Sequence, residues 1–292
     1  MLDREAHELF SCAANPLFAF ERRRMRWLRD ESSLTRYCKI TWVAATLVVL
    51  AVWLSSTVAS GGNPYFQDRF ALIMALAAFI ITIVVDFYAA FSIAYKLHRQ
   101  IHSDQWELIL ISRQQNWNTF QAAYSIAQLR SWRPMSIDIA FRIALIELIL
   151  LGTLRFWITS RFTLWLFPPS WLMLIPVGIM IAICAIEPFW RMKALSLIAM
   201  GAAANLKNLL IVYLTVFGAV AAIHVLQLVT FAGVWYLIIE PAVTRDNGVF
   251  TIICGALPIG AVLSICCTYL LYTTLRNFSW KLTIKGMFAP VA

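Results

Sequence analysis

The chain has 292 residues, 61% of them hydrophobic and 13% charged, with a mean hydropathy of +0.74 and a formal net charge of +9. That composition excludes an ordinary soluble domain and points to an all-α polytopic membrane protein. A nucleic-acid surface is excluded as well, because the basic residues are scattered between long apolar runs and no aromatic and basic motif accompanies them.

Residues 1–39 are polar and rich in Arg, without a short apolar core and a small-residue cleavage site, so no cleaved signal peptide is expected. Within them, "NPLFAFERRRMRWLRDES" begins with Asn15, a good helix cap, and Pro16, which suits the first helical position. At about 100° per residue, Leu17, Phe18, Phe20, Met25, Trp27 and Leu28 share one half of the wheel. Arg22, Arg23, Arg26, Arg29 and Asp30 crowd the other half, with Arg24 in the same basic run. The pattern predicts an amphipathic helix lying along the inner membrane surface. The simpler alternative is a juxtamembrane basic segment that only marks the inner side.

A crossing needs about 20 apolar residues. Six segments meet that length: Ile40 to Ser60, Phe70 to Tyr95, Ser136 to Trp157, Ser170 to Asn205, Leu209 to Phe231 and Phe250 to Leu275. The fourth is long and contains "EPFWRMK", which allows one helix bent at Pro188 or two shorter pieces. With six crossings and both termini in the cytoplasm, the inner pieces (1–39, 96–135, 206–208 and 276–292) hold 8, 5, 1 and 3 Lys or Arg. The outer pieces hold only Arg69, Arg161 and Arg245, with Arg155 near the boundary. This asymmetry fixes the expected orientation in the cytoplasmic membrane and argues against splitting the fourth segment. The domain plan is therefore an N-terminal segment 1–39, a six-helix transmembrane region 40–275 that includes the loop 96–135, and a tail 276–292.

The loop 96–135 carries an apolar burst too short to cross a bilayer, in "HSDQWELILISRQQ". At helical spacing Trp106, Ile109, Leu110 and Arg113 form one side with Glu107 beside them, which suits a short helix offered to a cytoplasmic partner. The alternative is a loop helix tucked under its own bundle.

Ionisable residues inside predicted spans face a bundle interior or a wet cavity. By rise along the helix, Asp86 lies roughly 15 Å deep and Arg142 roughly 9 Å deep, a gap that an Arg side chain bridges. Glu147 sits nearer the midplane without an obvious same-depth partner, which makes it the candidate for a pathway or gating role; the alternative is that all of these charges are partnered groups that fix helix register. Glu187 and Arg191 are four apart and can neutralise each other on one helix face.

Other chemistry is weakly signalled. Cys12, Cys38, Cys184, Cys254, Cys266 and Cys267 form no C-x-x-C pair and read as free thiols in or beside spans. His98 and His102 are four apart but have no third ligand nearby, so packing at the end of the second span is favoured over a metal. His224 is the sole intramembrane His, too few for an axial haem pair. The "NFS" at Asn277 falls on the predicted cytoplasmic side, which discounts glycosylation. No metal and no cofactor are expected in this chain.

The order of parts, an "NPLFAFERRRMR" helix, two crossings, a cytoplasmic "WELILIS" segment and four crossings, resembles the permease subunits of ATP-binding cassette transporters of the type-2 exporter class. Those permeases commonly begin with Asn-Pro and an Arg-rich interfacial helix, matched by Asn15, Pro16 and Arg22, Arg23 and Arg24. After their second crossing they carry a coupling helix with an acidic residue in a Leu-rich run, matched by Trp106, Glu107, Leu108, Ile109 and Leu110. Ser112 and Arg113 stand where the family run usually closes with Thr-Pro. The resemblance implies a transport subunit that is not itself an ATPase, with ATP and Mg bound by a separate ATP-binding cassette subunit. A second permease subunit, the same or a similar chain, would complete the pathway. This division of labour agrees with the lack of a G-x-x-x-x-G-K-[ST] loop in the chain. The alternative function is a non-transporting subunit that scaffolds a larger complex, including an energy-transducing one.

Overall fold

The structure, a computed structural model, describes residues 7, 9–10, 12, 15–25, 30–59, 64–102, 116–159, 171–234, 236 and 257–288. Among them seven helices follow in chain order: α1 (Pro16–Arg24), α2 (Glu31–Ala59), α3 (Pro64–Ile101), α4 (Asn116–Thr159), α5 (Trp171–Asn205), α6 (Leu209–Val234) and α7 (Leu257–Phe288). Among the described residues there is no strand.

Among the described residues three helical segments are long and apolar enough to cross a membrane: Ser32–Val58 on α2, Leu76–Ile101 on α3 and Leu209–Thr230 on α6. They fall on the first, second and fifth segments predicted from the sequence. The third lies on α4, and the described residues of the fourth and sixth, 171–205 and 257–275, lie on α5 and α7. The fourth is one helix from Trp171 to Asn205 that runs on through Pro188. At about 1.5 Å per residue, the 44 residues of α4 reach about 66 Å, roughly twice a bilayer's hydrocarbon thickness of about 30 Å.

Many large apolar side chains are exposed, as expected for a protein in contact with lipid. On α2, Ile40, Val43, Leu47, Val48 and Val58 are exposed, and α6 presents Leu210, Leu214, Phe217 and Val229 in the same way. The C-terminal half of α5 is the opposite case, buried around its circumference through Ala194, Leu195, Leu197, Ala199, Met200 and Ala203. A helix apolar on every side belongs in the middle of a bundle. Small residues let α7 close on it: a Cβ at Gly286 would lie 2.5 Å from Asn205 Nδ2. The freed space lets the Asn205 amide donate to Gly201 O at 2.8 Å and across to Leu282 O at 3.1 Å.

Two local signals set how the chain enters the bundle. Asn15 Oδ1 accepts from Leu17 N at 2.9 Å, and Pro16 occupies the first turn of α1. Asn15 Nδ2 donates to Asn118 O at 3.3 Å, so the cap also ties α1 to the start of α4. Before α2, Asp30 Oδ1 accepts from Ser33 N at 3.1 Å, and the Ser33 side chain holds the Asp30 carboxyl below its usual range.

The apolar half of α1 is divided, which departs from a face laid wholly on the membrane. Phe18 is fully buried in a cluster with Leu9, Leu34, Ile126 and Leu129. Phe20 remains 53% exposed, with the Arg24 guanidinium 4.4 Å above its ring. The helix stops at Arg24, ahead of Trp27 and Leu28. Trp27 lies outside the described residues, as do Trp106, Glu107, Leu108, Ile109, Leu110 and Ser112 of the predicted coupling segment.

Candidate functional site: a buried ion network

Arg191 on α5 is the centre of the bundle's polar layer and is completely buried. Its Nη1 donates to Glu187 one turn back at 3.1 Å, the i,i+4 pair predicted from spacing. Its Nη2 pairs with Asp138 Oδ2 of α4, and its Nε lies 3.0 Å from Asp86 Oδ2 of α3. One guanidinium therefore meets three carboxylates on three helices, a use that suits the fixed fork of Arg and not the single ammonium of Lys.

Arg142 is a second cation in the same layer. Its Nε bonds Asp138 Oδ1 at 3.1 Å, its Nη1 bonds Glu187 Oε2 at 2.7 Å, and its Nη2 bonds Thr82 Oγ1 at 3.1 Å. The Thr82 hydroxyl in turn donates to Asp138 Oδ1 at 2.6 Å. From α7, Tyr272 OH donates to Glu187 Oε1 at 2.8 Å. From α6, Gln227 Nε2 donates to the same oxygen at 3.0 Å and to Tyr272 OH at 2.7 Å. Asp86 is joined by His224 of α6, whose Nε2 lies 3.0 Å from Asp86 Oδ2. Side chains from α3, α4, α5, α6 and α7 thus meet in one layer.

The predicted partner of Asp86 was Arg142, and the structure places Arg191 and His224 there instead. The two residues do enter one polar layer, but the facing of α4 turns Arg142 toward Asp138 and Glu187. Asp138, Thr82, His224, Gln227 and Tyr272 were not anticipated as members of the network. Asp138 did carry a signal, because it precedes Arg142 by four residues on the same helix.

Glu147 also has partners, contrary to its expected isolation. It is half-buried between α4 and α2, where Oε1 accepts from Trp42 Nε1 at 3.1 Å and Oε2 accepts from Thr46 Oγ1 at 3.0 Å. It is separate from the Arg191 layer and fixes the register of α2 on α4.

A third polar node lies at the bundle's N-terminal helix. Glu21, 3% exposed, accepts from Arg130 of α4 at 2.6 Å and from Gln100 of α3 at 2.7 Å, with Arg24 at 3.6 Å. Burial pulls the Arg130 guanidinium below its ordinary range, and the Glu21 carboxylate opposes that shift. Arg22 and Arg23 stand in the last turn of α1, where their charge complements the helix dipole.

The His98 and His102 rings meet edge to face at 4.3 Å between centroids. Each directs Nε2 at a backbone carbonyl, Lys207 O at 3.2 Å and Leu206 O at 3.4 Å. A ring nitrogen bonded to a carbonyl must carry its proton, so these two nitrogens act as donors at the end of α5 and not as metal ligands. Among the described residues, no group of three His, Cys, Asp or Glu is placed to hold a metal ion. No protein-family model, curated protein or solved structure matches this chain.

Proposed function

We propose that this chain is the permease subunit of a transporter of ATP-binding cassette type, crossing the cytoplasmic membrane six times with both termini inside. In this reading it forms half of the transport pathway beside a second permease subunit, and a separate ATPase subunit docks on the segment that holds Trp106 and Glu107. The observation that carries the proposal is the pairing of α3 and α4. These are the two helices that flank the docking segment. Both are clamped by Glu21, through Gln100 and Arg130, and both enter the ion layer, through Thr82 and Asp86 on α3 and Asp138 and Arg142 on α4. A displacement of the docking segment is thereby carried to a layer that cannot yield at one contact alone, which is the kind of element that switches between discrete arrangements. A scaffold subunit of a larger energy-transducing complex is the second reading, favoured by how completely the cluster's guanidiniums are paired.

The test is purification of the full chain from its own membranes in mild detergent, with the co-eluting subunits identified by mass spectrometry. A stoichiometric nucleotide-binding ATPase is expected, and Trp106→Ala or Glu107→Lys should release it while the membrane bundle stays folded. Central aromatic and charged anchors of an interface typically contribute about 2 kcal/mol or more each. Co-elution of redox subunits or pigments without an ATPase would establish the scaffold reading instead.

Glu147→Gln should assemble with unchanged yield, because the amide oxygen still accepts from Trp42 and Thr46 can turn its hydroxyl. In the reconstituted complex it should alter stimulated ATP hydrolysis; unaltered hydrolysis would reduce Glu147 to a helix tie.

A further inference from the structure

Among the described residues the ion layer holds three carboxylates, Asp86, Asp138 and Glu187, against two guanidiniums, Arg142 and Arg191, and so lacks one positive charge when His224 is neutral. The deficit is local. Asp138 and Glu187 each face both guanidiniums and accept further hydrogen bonds from Thr82, Tyr272 and Gln227. Among the described residues Asp86 pairs only with Arg191 and His224, each 3.0 Å from Oδ2 but off the line of a directed hydrogen bond. Among the described residues its Oδ1 and the His224 Nδ1 are buried without a hydrogen-bond partner, on side chains only 1% and 6% exposed. Phe79 closes one side, its ring edge-on to the imidazole at 6.0 Å between centroids.

We propose that Asp86 and His224 form a buried proton-binding site that holds one proton at neutral pH. The proton comes from water and adds to the His224 ring nitrogen lone pair, which converts the imidazole to imidazolium beside the Asp86 carboxylate, or it rests on Asp86 itself. Either placement brings the layer from a net charge of −1 to zero, and no bond other than that to the proton is made or broken. A metal cation could balance the same charge, but the Arg191 guanidinium already occupies the face of Asp86 Oδ2 and repels it. A proton on the ring instead places its positive charge 3.0 Å from Asp86 Oδ2, with no change of partner for Arg191. The charged and titratable groups that surround the pair are Asp138 and Arg142 from α4, Glu187 and Arg191 from α5, and Tyr272 from α7. The inference does not depend on the identity of any partner subunit.

The chain has four histidines, so His7→Gln, His98→Gln and His102→Gln together leave His224 alone for observation. The full-length triple variant, labelled with ¹⁵N-histidine in lipid nanodiscs, is held at about pH 8, above the ordinary histidine value of about 6.5. The expected result is an imidazolium signature at His224, or a protonated-carboxyl infrared band that disappears in Asp86→Asn. A neutral imidazole together with an ionised Asp86 would overturn the proposal. If the triple variant does not fold, the wild-type chain gives the same decision: one imidazolium, or one protonated carboxyl, persisting when the exposed histidines are neutral supports the site, and none overturns it. Adding sodium or potassium should leave the signature unchanged; its loss on adding either cation would assign the site to a metal ion instead.

Discussion

Arg191→Met should abolish recovery of folded protein. The substitution leaves Asp86 without its only guanidinium and removes one of two from Asp138 and Glu187, all in a layer closed to water. Removing one partner of a buried ion pair typically costs about 3–5 kcal/mol, a large share of the roughly 5–15 kcal/mol that holds a domain folded. Here three carboxylates are affected at once. Arg191→Lys should rescue little, because one ammonium cannot reach oxygens that the Nε, Nη1 and Nη2 atoms address in three directions. Monodisperse yield in detergent and the thermal unfolding midpoint measure both variants. A Met variant with wild-type yield and midpoint would show that the layer contributes nothing to assembly.

Glu21→Ala should act locally and still strongly. It strips Arg130 of its carboxylate while leaving the guanidinium buried, and an uncompensated buried charge of this kind costs about 3 kcal/mol or more. The bundle from α2 to α7 should remain folded, whereas α1 should detach, since Phe18 and the Asn15 cap are what would still hold it. Trypsin should then cut readily at Arg22, Arg23 and Arg24, and amide exchange over 16–24 should accelerate. Restoring an acceptor with Glu21→Gln should recover part of the protection, because the amide oxygen can still accept from Arg130. Unchanged exchange in Glu21→Ala would mean that apolar contacts alone seat the helix.

The parts that sequence made legible are those set by neighbours in the chain. The Asn15 cap, the Pro16 start and the Glu187 and Arg191 pair each depend on residues within four positions of one another, and each is found as expected. What sequence could not supply is rotation of one helix against another. Depth put Asp86 and Arg142 within reach, yet the facing of α4 and α5 gives Asp86 to Arg191. The same limit hid Glu147's bonds to Trp42 and Thr46, which cross from α4 to α2. Glu21 was invisible for a related reason. It sits in a helix whose wheel reads as basic on one side and apolar on the other, and only the distant Arg130 explains why a carboxylate points inward. His224 stood out as a lone intramembrane histidine, but nothing in its own segment names Asp86 as its neighbour.

Nucleotide binding tests the proposed division of labour between a membrane subunit and a separate ATPase most directly. Equilibrium binding of labelled ATP with Mg should be measured on the isolated chain and on the complex purified from native membranes. The account predicts no binding to the isolated chain and stoichiometric binding to the complex. Stoichiometric ATP binding to the isolated polypeptide would contradict it.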